Sequence, residues 1–160
     1  MYHHSVRWPI DGPGGPLILH ICQPGTDIPA RATGTPTKKP AIVFAHSGGF
    51  VFCDLDTHGK LYLSMANTVG AVVVSVDYRL APEHPASAAA HHVHAALKWV
   101  RAHALDIEAD PTRLVVTGDS AGGNLAAEIA LIDRGRVWPA LAGQVLICPV
   151  IDNDLKASSY

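Results

Sequence analysis

The sequence predicts an α/β fold, a mostly parallel, twisted sheet with helices on both faces. Four short apolar runs, residues 41–45, 72–76, 114–117 and 145–147, are nearly continuous rather than alternating, as in strands covered on both sides. Segments of helical periodicity separate them, and alternating strand and helix build a parallel sheet. The chain of 160 residues is 48% hydrophobic with a mean hydropathy of +0.18. No apolar run approaches the roughly 18 residues that span a bilayer, so this apolar content is read as core.

Taken in order, Leu17-Ile18-Leu19-His20-Ile21 alternates as an early strand, after a Gly/Pro turn at residues 12–16. Residues 24–40, rich in Pro, Thr and Gly, read as a surface loop. The strand at 41–45 leads to a helix over about 58–69, with Leu61, Met65 and Val69 on one face and Gly70 at its C-terminal stop. After the strand at 72–76, a helix runs from Ser87, an N-cap candidate behind Pro85, to about Ala104. Val93, Leu97, Val100 and Ala104 form its stripe. The strand at 114–117 feeds a helix over about 121–133 that ends near Gly135, and the strand at 145–147 closes the series. The chain reads as one domain over residues 1–160, without internal repeats.

Twelve Lys and Arg against fourteen Asp and Glu give a formal charge of −2, which supplies no electrostatic reason for a nucleic acid or an anionic membrane as partner. Residues 1–9 lack an apolar stretch of the signal-peptide kind, and the three cysteines, Cys22, Cys53 and Cys148, lack C-x-x-C spacing. Reduced, buried thiols and a cytoplasmic location are the expectation. His91 and His94 would neighbour one another on a helix, but no Asp, Glu or Cys completes a ligand set, so these histidines and His92 are expected at the helix edge or facing water. No metal and no cofactor are expected.

Arg113-Leu-Val-Val-Thr-Gly-Asp-Ser-Ala-Gly-Gly123 is a β-branched strand running through a G-x-S-x-G sequence into an Ala-rich helix. Such a context fits a nucleophile elbow: Gly118 and Gly122 remove the side chains that would collide with a strained Ser120, whose hydroxyl is lifted above the sheet. The free N–H groups of the helix start point at the same place. A second glycine pair, in His46-Ser47-Gly48-Gly49-Phe50, follows the strand at 41–45 and allows close backbone approach. Alone it reads better as an ordinary turn; beside Ser120 at a neighbouring strand end, it reads as a donor site.

In combination, three motifs resemble the hormone-sensitive-lipase-like esterases, a branch of the α/β-hydrolases. These are residues 118–125 at the elbow, 46–50 at the oxyanion loop, and Tyr78-Arg-Leu-Ala-Pro-Glu-His-Pro85. The resemblance covers nearly the whole chain. It implies Ser120 as nucleophile, the backbone amides of Gly48, Gly49 and Ala121 as oxyanion donors, a small ester as substrate, and hydrolysis through an acyl-enzyme. It also implies that His46 ties the loop down, that Asp119 shapes the elbow (a helix-start carboxylate reads equally well), and that Arg79 pairs with Glu83 beneath the loop. Ser47 replaces the first glycine of the family's loop; at a position of positive φ it would cost about 1 kcal/mol.

The family's triad acid and base follow the nucleophile in the chain, and no histidine lies after Ser120, the last being His103. The chain is accordingly expected to be the N-terminal half of a truncated α/β-hydrolase fold, without the later strands and most of the cap. Short-to-medium acyl esters would be its substrates, with impaired turnover. A non-catalytic ligand-binding member of the same fold and a non-functional truncated product are the alternatives. An unpaired last strand would favour self-association.

Overall fold

The computed structural model describes residues 5–25, 38–135 and 140–152. Most of the loop expected at 24–40, and the stretch from Asn153 to Tyr160, lie outside the described residues. Nine elements follow in chain order: β1 (Ser5–Gly12), β2 (Gly15–Cys22), β3 (Lys39–Ala45), α1 (Gly59–Val69), β4 (Val72–Val76), α2 (Ala88–Ala102), β5 (Ala109–Asp119), α3 (Ala121–Arg134) and β6 (Gly143–Ile147). The described strands form one six-stranded sheet in the order β1-β2-β4-β3-β5-β6. The hairpin β1–β2 and the pair β2–β4 are antiparallel, whereas β4, β3, β5 and β6 run parallel.

Three of the four continuous apolar runs lie in the central strands β4, β3 and β5, which helices cover, whereas the run at 145–147 lies in the edge strand β6, where Val145 and Ile147 are 54% and 39% exposed. Ala41, Val43 and Ala45 of β3 join Val72, Val74 and Val76 of β4 in a core completed by Val93, Leu97 and Val100 of α2 and Leu125 and Ile129 of α3. The intervening residues, Ile42, Phe44 and Val73, turn to the opposite face and pack on Tyr62 and Ala66 of α1. One face thus carries two helices and the other carries α1. Burying a side chain the size of Val43 or Phe44 contributes about 1.5–3 kcal/mol, so β3, buried almost end to end, anchors the sheet.

Helix α1 presents a different face from the one its periodicity predicts. Tyr62 and Ala66 are the buried positions, while Leu61 and Val69 are 42% and 58% exposed. The Tyr62 ring reaches Phe44, with centroids 5.2 Å apart, and this aromatic contact turns the helix by one residue. Gly70 ends α1 as expected, at φ +70 with its N–H on the Ala66 carbonyl. Ser87 does occupy the N-cap of α2, but at φ +80 and without a capping side-chain bond.

Strand β1 was not evident in the sequence, because only Ile10 of its eight residues is buried. It is held instead by its ladder to β2 and by Trp8 against Trp99 of α2, centroids 6.2 Å apart. The turn joining β1 to β2 accounts for two further departures. His92 is buried, not at a wet edge, and donates its Nε2 hydrogen to the Pro13 carbonyl at 3.0 Å. Arg79 donates to the Gly14 carbonyl of the same turn, and no Arg79–Glu83 pair occurs among the described residues. Of the free cysteines, Cys22 is buried but Cys148 is exposed, since it follows β6 at the sheet edge.

Candidate active site

Parallel pairing aligns the C-terminal ends of β3 and β5, with Ala45 opposite Gly118. The loop after β3 and the turn after β5 therefore emerge side by side, as the strand order of an open α/β sheet requires for a shared crevice. Contact is close enough to exclude side chains. A Cβ on Gly122 would lie 1.9 Å from the Ala45 carbonyl oxygen, and one on Gly118 would lie 2.3 Å from the Gly122 backbone. The glycines of the G-x-S-x-G sequence are thus fixed by the approach of three backbone segments.

Between them, Ser120 is held at φ +53 and ψ −114, a strained conformation for a residue with a side chain. Its carbonyl accepts the Val150 and Asn124 amides and its N–H donates to Ile147, so the segment around β6 clamps the turn. Asn124 adds a side-chain bond to the Val150 carbonyl at 2.7 Å. Among the described residues, no side chain hydrogen-bonds Ser120 Oγ. Ala121 opens α3, so its N–H has no intrahelical acceptor.

The loop after β3 takes its shape from a run of positive φ: Gly48 at +114, Gly49 at +59 and Phe50 at +65. Ser47 is not in that run, so the cost expected for a serine there does not arise. The Gly48 carbonyl is capped by the Val51 and Phe52 amides, whereas the Gly48 and Gly49 amides have no protein acceptor among the described residues. His46, fully buried, gives its Nδ1 hydrogen to the Ser47 carbonyl at 2.7 Å and stacks on Tyr78 at 4.1 Å. Tyr78 in turn donates its hydroxyl to the His46 carbonyl at 2.7 Å. Burial lowers the His46 pKa, which keeps its ring neutral, and raises that of the Tyr78 phenol.

Sequence reasoning did not single out His58 as part of this site. His58 Nε2 lies 3.1 Å from Ser47 Oγ and 3.6 Å from Asp119 Oδ2, joining the loop to the residue before Ser120. The Asp119 carboxylate accordingly faces α1, with its Oδ1 buried and unpartnered. A cleft of about 350 Å³ opens on the other side of the loop, lined by Gly49, Phe50, Arg79, His84, Ser87, Asn124, Leu125 and Glu128 among others. Ser120 does not line it, but Asn124, one turn along α3, does. No group of three or more potential metal ligands occurs among the described residues, and none of their helices is long and apolar enough to cross a membrane.

An alternating sheet with a serine on a strained strand-to-helix turn, beside a glycine loop with free amides, defines a hydrolase scaffold. The chain belongs to the family described as having the alpha/beta hydrolase fold, which it matches over residues 42–160. It is 45% identical to esterase LipI and 43% identical to carboxylesterase NlhH of Mycobacterium tuberculosis, covering 42% and 43% of those proteins with 88% and 84% of its own length. The hyperthermophilic esterase of the archaeon Pyrobaculum calidifontis superposes with a TM-score of 0.84 at 40% identity, over 93% of this chain and 45% of that one. The resemblance to hormone-sensitive-lipase-like esterases therefore stands, and the chain spans less than half the length of these relatives.

Proposed function

We propose that this chain carries the nucleophile and the oxyanion donors of a carboxylic-ester hydrolase. Ser120 Oγ attacks the ester carbonyl, and its proton passes to a base. The tetrahedral oxyanion is held by the amides of Gly48, Gly49 and Ala121; the alcohol then leaves with a proton, and water releases the acid from the acyl-serine. Gly118, Gly122 and Asp119 shape the elbow in this reading, and His46 acts as a structural tie, its Nδ1 already committed to Ser47. One observation carries the reading: the approach of Gly122 to Ala45, which brings the elbow against the strand end from which the amide-bearing loop departs. Short-to-medium acyl esters are the proposed substrates.

The 160-residue chain by itself would turn over slowly, since no described imidazole reaches Ser120 Oγ and loss of triad function costs about a million-fold. The same observation favours the second reading, a ligand-binding member of the fold that performs no hydrolysis. A fluorophosphonate probe separates the two. Slow labelling at Ser120 that disappears in Ser120→Ala, with little turnover of p-nitrophenyl acetate, is the expected result. Labelling unaffected by that substitution rules Ser120 out as nucleophile. Rapid Ser120-dependent turnover contradicts the impairment, and a complete absence of labelling favours the ligand-binding reading.

A further inference from the structure

His58 occupies the N-cap position of α1, over the junction between the β3 loop and the elbow. Both of its ring nitrogens are engaged. Thr57 Oγ1 lies 3.0 Å from Nδ1, while Ser47 Oγ lies 3.1 Å from Nε2. Counting protons decides which nitrogen bears hydrogen. A threonine hydroxyl has one hydrogen, and Thr57 donates it to the Asp54 carbonyl at 2.6 Å. What remains on Thr57 Oγ1 can only accept, and it already takes the Asp54 amide at 3.1 Å. Nδ1 is therefore the donor toward Thr57. In the neutral ring that leaves Nε2 as a bare acceptor, and the Ser47 hydroxyl is the donor that meets it.

The groups around the ring act on this arrangement in different directions. Asp119 Oδ2 lies 3.6 Å from Nε2, beyond hydrogen-bond reach, and its charge pulls toward a hydrogen on Nε2; the Ser47 hydroxyl at 3.1 Å is the nearer partner. The His46 and Tyr62 rings lie near His58 at centroid distances of 6.2 and 6.1 Å, roughly parallel to it. Asp54 is a further charged group on this segment, linked through the Thr57 amide.

We propose that Ser47 and His58 form a positioning tether in which Ser47 O–H bonds to Nε2 of a His58 protonated on Nδ1, locking the Gly48–Gly49 loop to α1 beside Asp119. Where the resemblance implies a glycine, this chain thus gains a bond that glycine cannot make. The inference rests on the reading in which those two amides serve Ser120, and its tautomer and amide-signal tests are independent of catalysis.

Ring-nitrogen NMR of the full chain at about pH 8, where ordinary histidines are neutral, reads the tautomer directly, with His58→Asn assigning the signals. A protonated Nδ1 and a bare Nε2 are expected. In Ser47→Ala the Nε2 signal and the Gly48 and Gly49 amide signals shift, and fluorophosphonate labelling of Ser120 slows roughly 10- to 100-fold. Ser47→Thr, which keeps a hydroxyl, preserves all three. Thr57→Val, which leaves the loop sequence intact, moves the ring proton to Nε2 and gives a second test should Ser47→Ala not fold. A proton on Nε2 in the unaltered chain overturns the tether, as do Gly48 and Gly49 signals or a labelling rate indifferent to Ser47→Ala. Absence of Ser120 labelling alongside the expected His58 tautomer and amide shifts counts against the hydrolase reading while upholding the tether.

Discussion

Gly48 and Gly49 are adjacent, both have positive φ, and yet they differ in what they tolerate. A Cβ on Gly48 would sit 2.0 Å from the Phe52 carbonyl oxygen, so an alanine there must displace the backbone that shapes the loop. At Gly49 nothing lies within 4 Å, and an alanine would cost only its left-handed conformation, about 1–2 kcal/mol. Gly48→Ala is therefore expected to slow fluorophosphonate labelling of Ser120 roughly 100- to 1,000-fold, the typical effect of a lost oxyanion donor, whereas Gly49→Ala changes it far less. Equal effects of the two substitutions would show that backbone conformation, and not the close approach to Phe52, governs the loop. These residues were legible in the sequence because glycine requirements are local: Gly118, Gly122, Gly48 and Gly49 could be identified from the strand preceding each. His58 was not. Its contacts join residues 47, 58 and 119, which only the parallel pairing of β3 with β5 and the docking of α1 bring together.

Among the elements, α2 and α3 are joined by a buried ion pair, Arg101 to Asp133, with donor–acceptor distances of 3.0 and 2.8 Å and side chains only 7% and 3% exposed. Removing one partner strands a charge in the interior. Asp133→Ala is thus expected to lower unfolding stability by about 3–5 kcal/mol, while Arg101→Met with Asp133→Leu restores most of it, because a packed apolar pair avoids both desolvation penalties. Urea unfolding of the three chains measures this, and a double variant no better than Asp133→Ala would mean the pair supplies geometry that apolar packing cannot. Legibility at this scale followed burial. The central strands β3 and β4, and the stripe of α2, are legible in the sequence since both depend on one dominant periodicity. Strand β1 is not legible because its ladder more than its side chains holds it. The face of α1 is not legible because apolar residues surround the helix, and the choice among them falls to the partner ring Phe44. Arg79 likewise bonds a turn 65 residues distant, a contact no local spacing encodes.

At the scale of the molecule, two consequences follow from which groups reach water. Strand β6 pairs only with β5 among the described residues, and Val145 and Val150 near it are 54% and 44% exposed. We propose that the chain self-associates through this edge. Light scattering behind size-exclusion chromatography should give a mass above that of the 16.9 kDa monomer, and a clean monomer at all concentrations would refute it. The second consequence concerns pH. His46 and His92, with 0% and 1% exposure, have pKa values lowered from 6.5 chiefly by burial, as does the less buried His20. The unfolded chain takes up protons near 6.5 while the folded chain refuses them, so stability is fully present above that value and falls as pH drops toward the folded pKa values. Each histidine held neutral contributes a slope of up to about 1.4 kcal/mol per pH unit. On the alkaline side, burial pushes the Cys22 thiol from 9.0 up to about 11, so unfolding gains a proton-release advantage as pH rises past 9.0. A stability plateau between these limits is therefore expected, sloping down on the acid side. His92→Gln, which keeps an N–H donor for the Pro13 carbonyl but cannot titrate, should flatten part of the acid slope in urea unfolding between about pH 5 and 8. Stability that stays constant across that range in the unaltered chain would mean the buried imidazoles accept protons freely, and that water reaches them through local opening of the sheet.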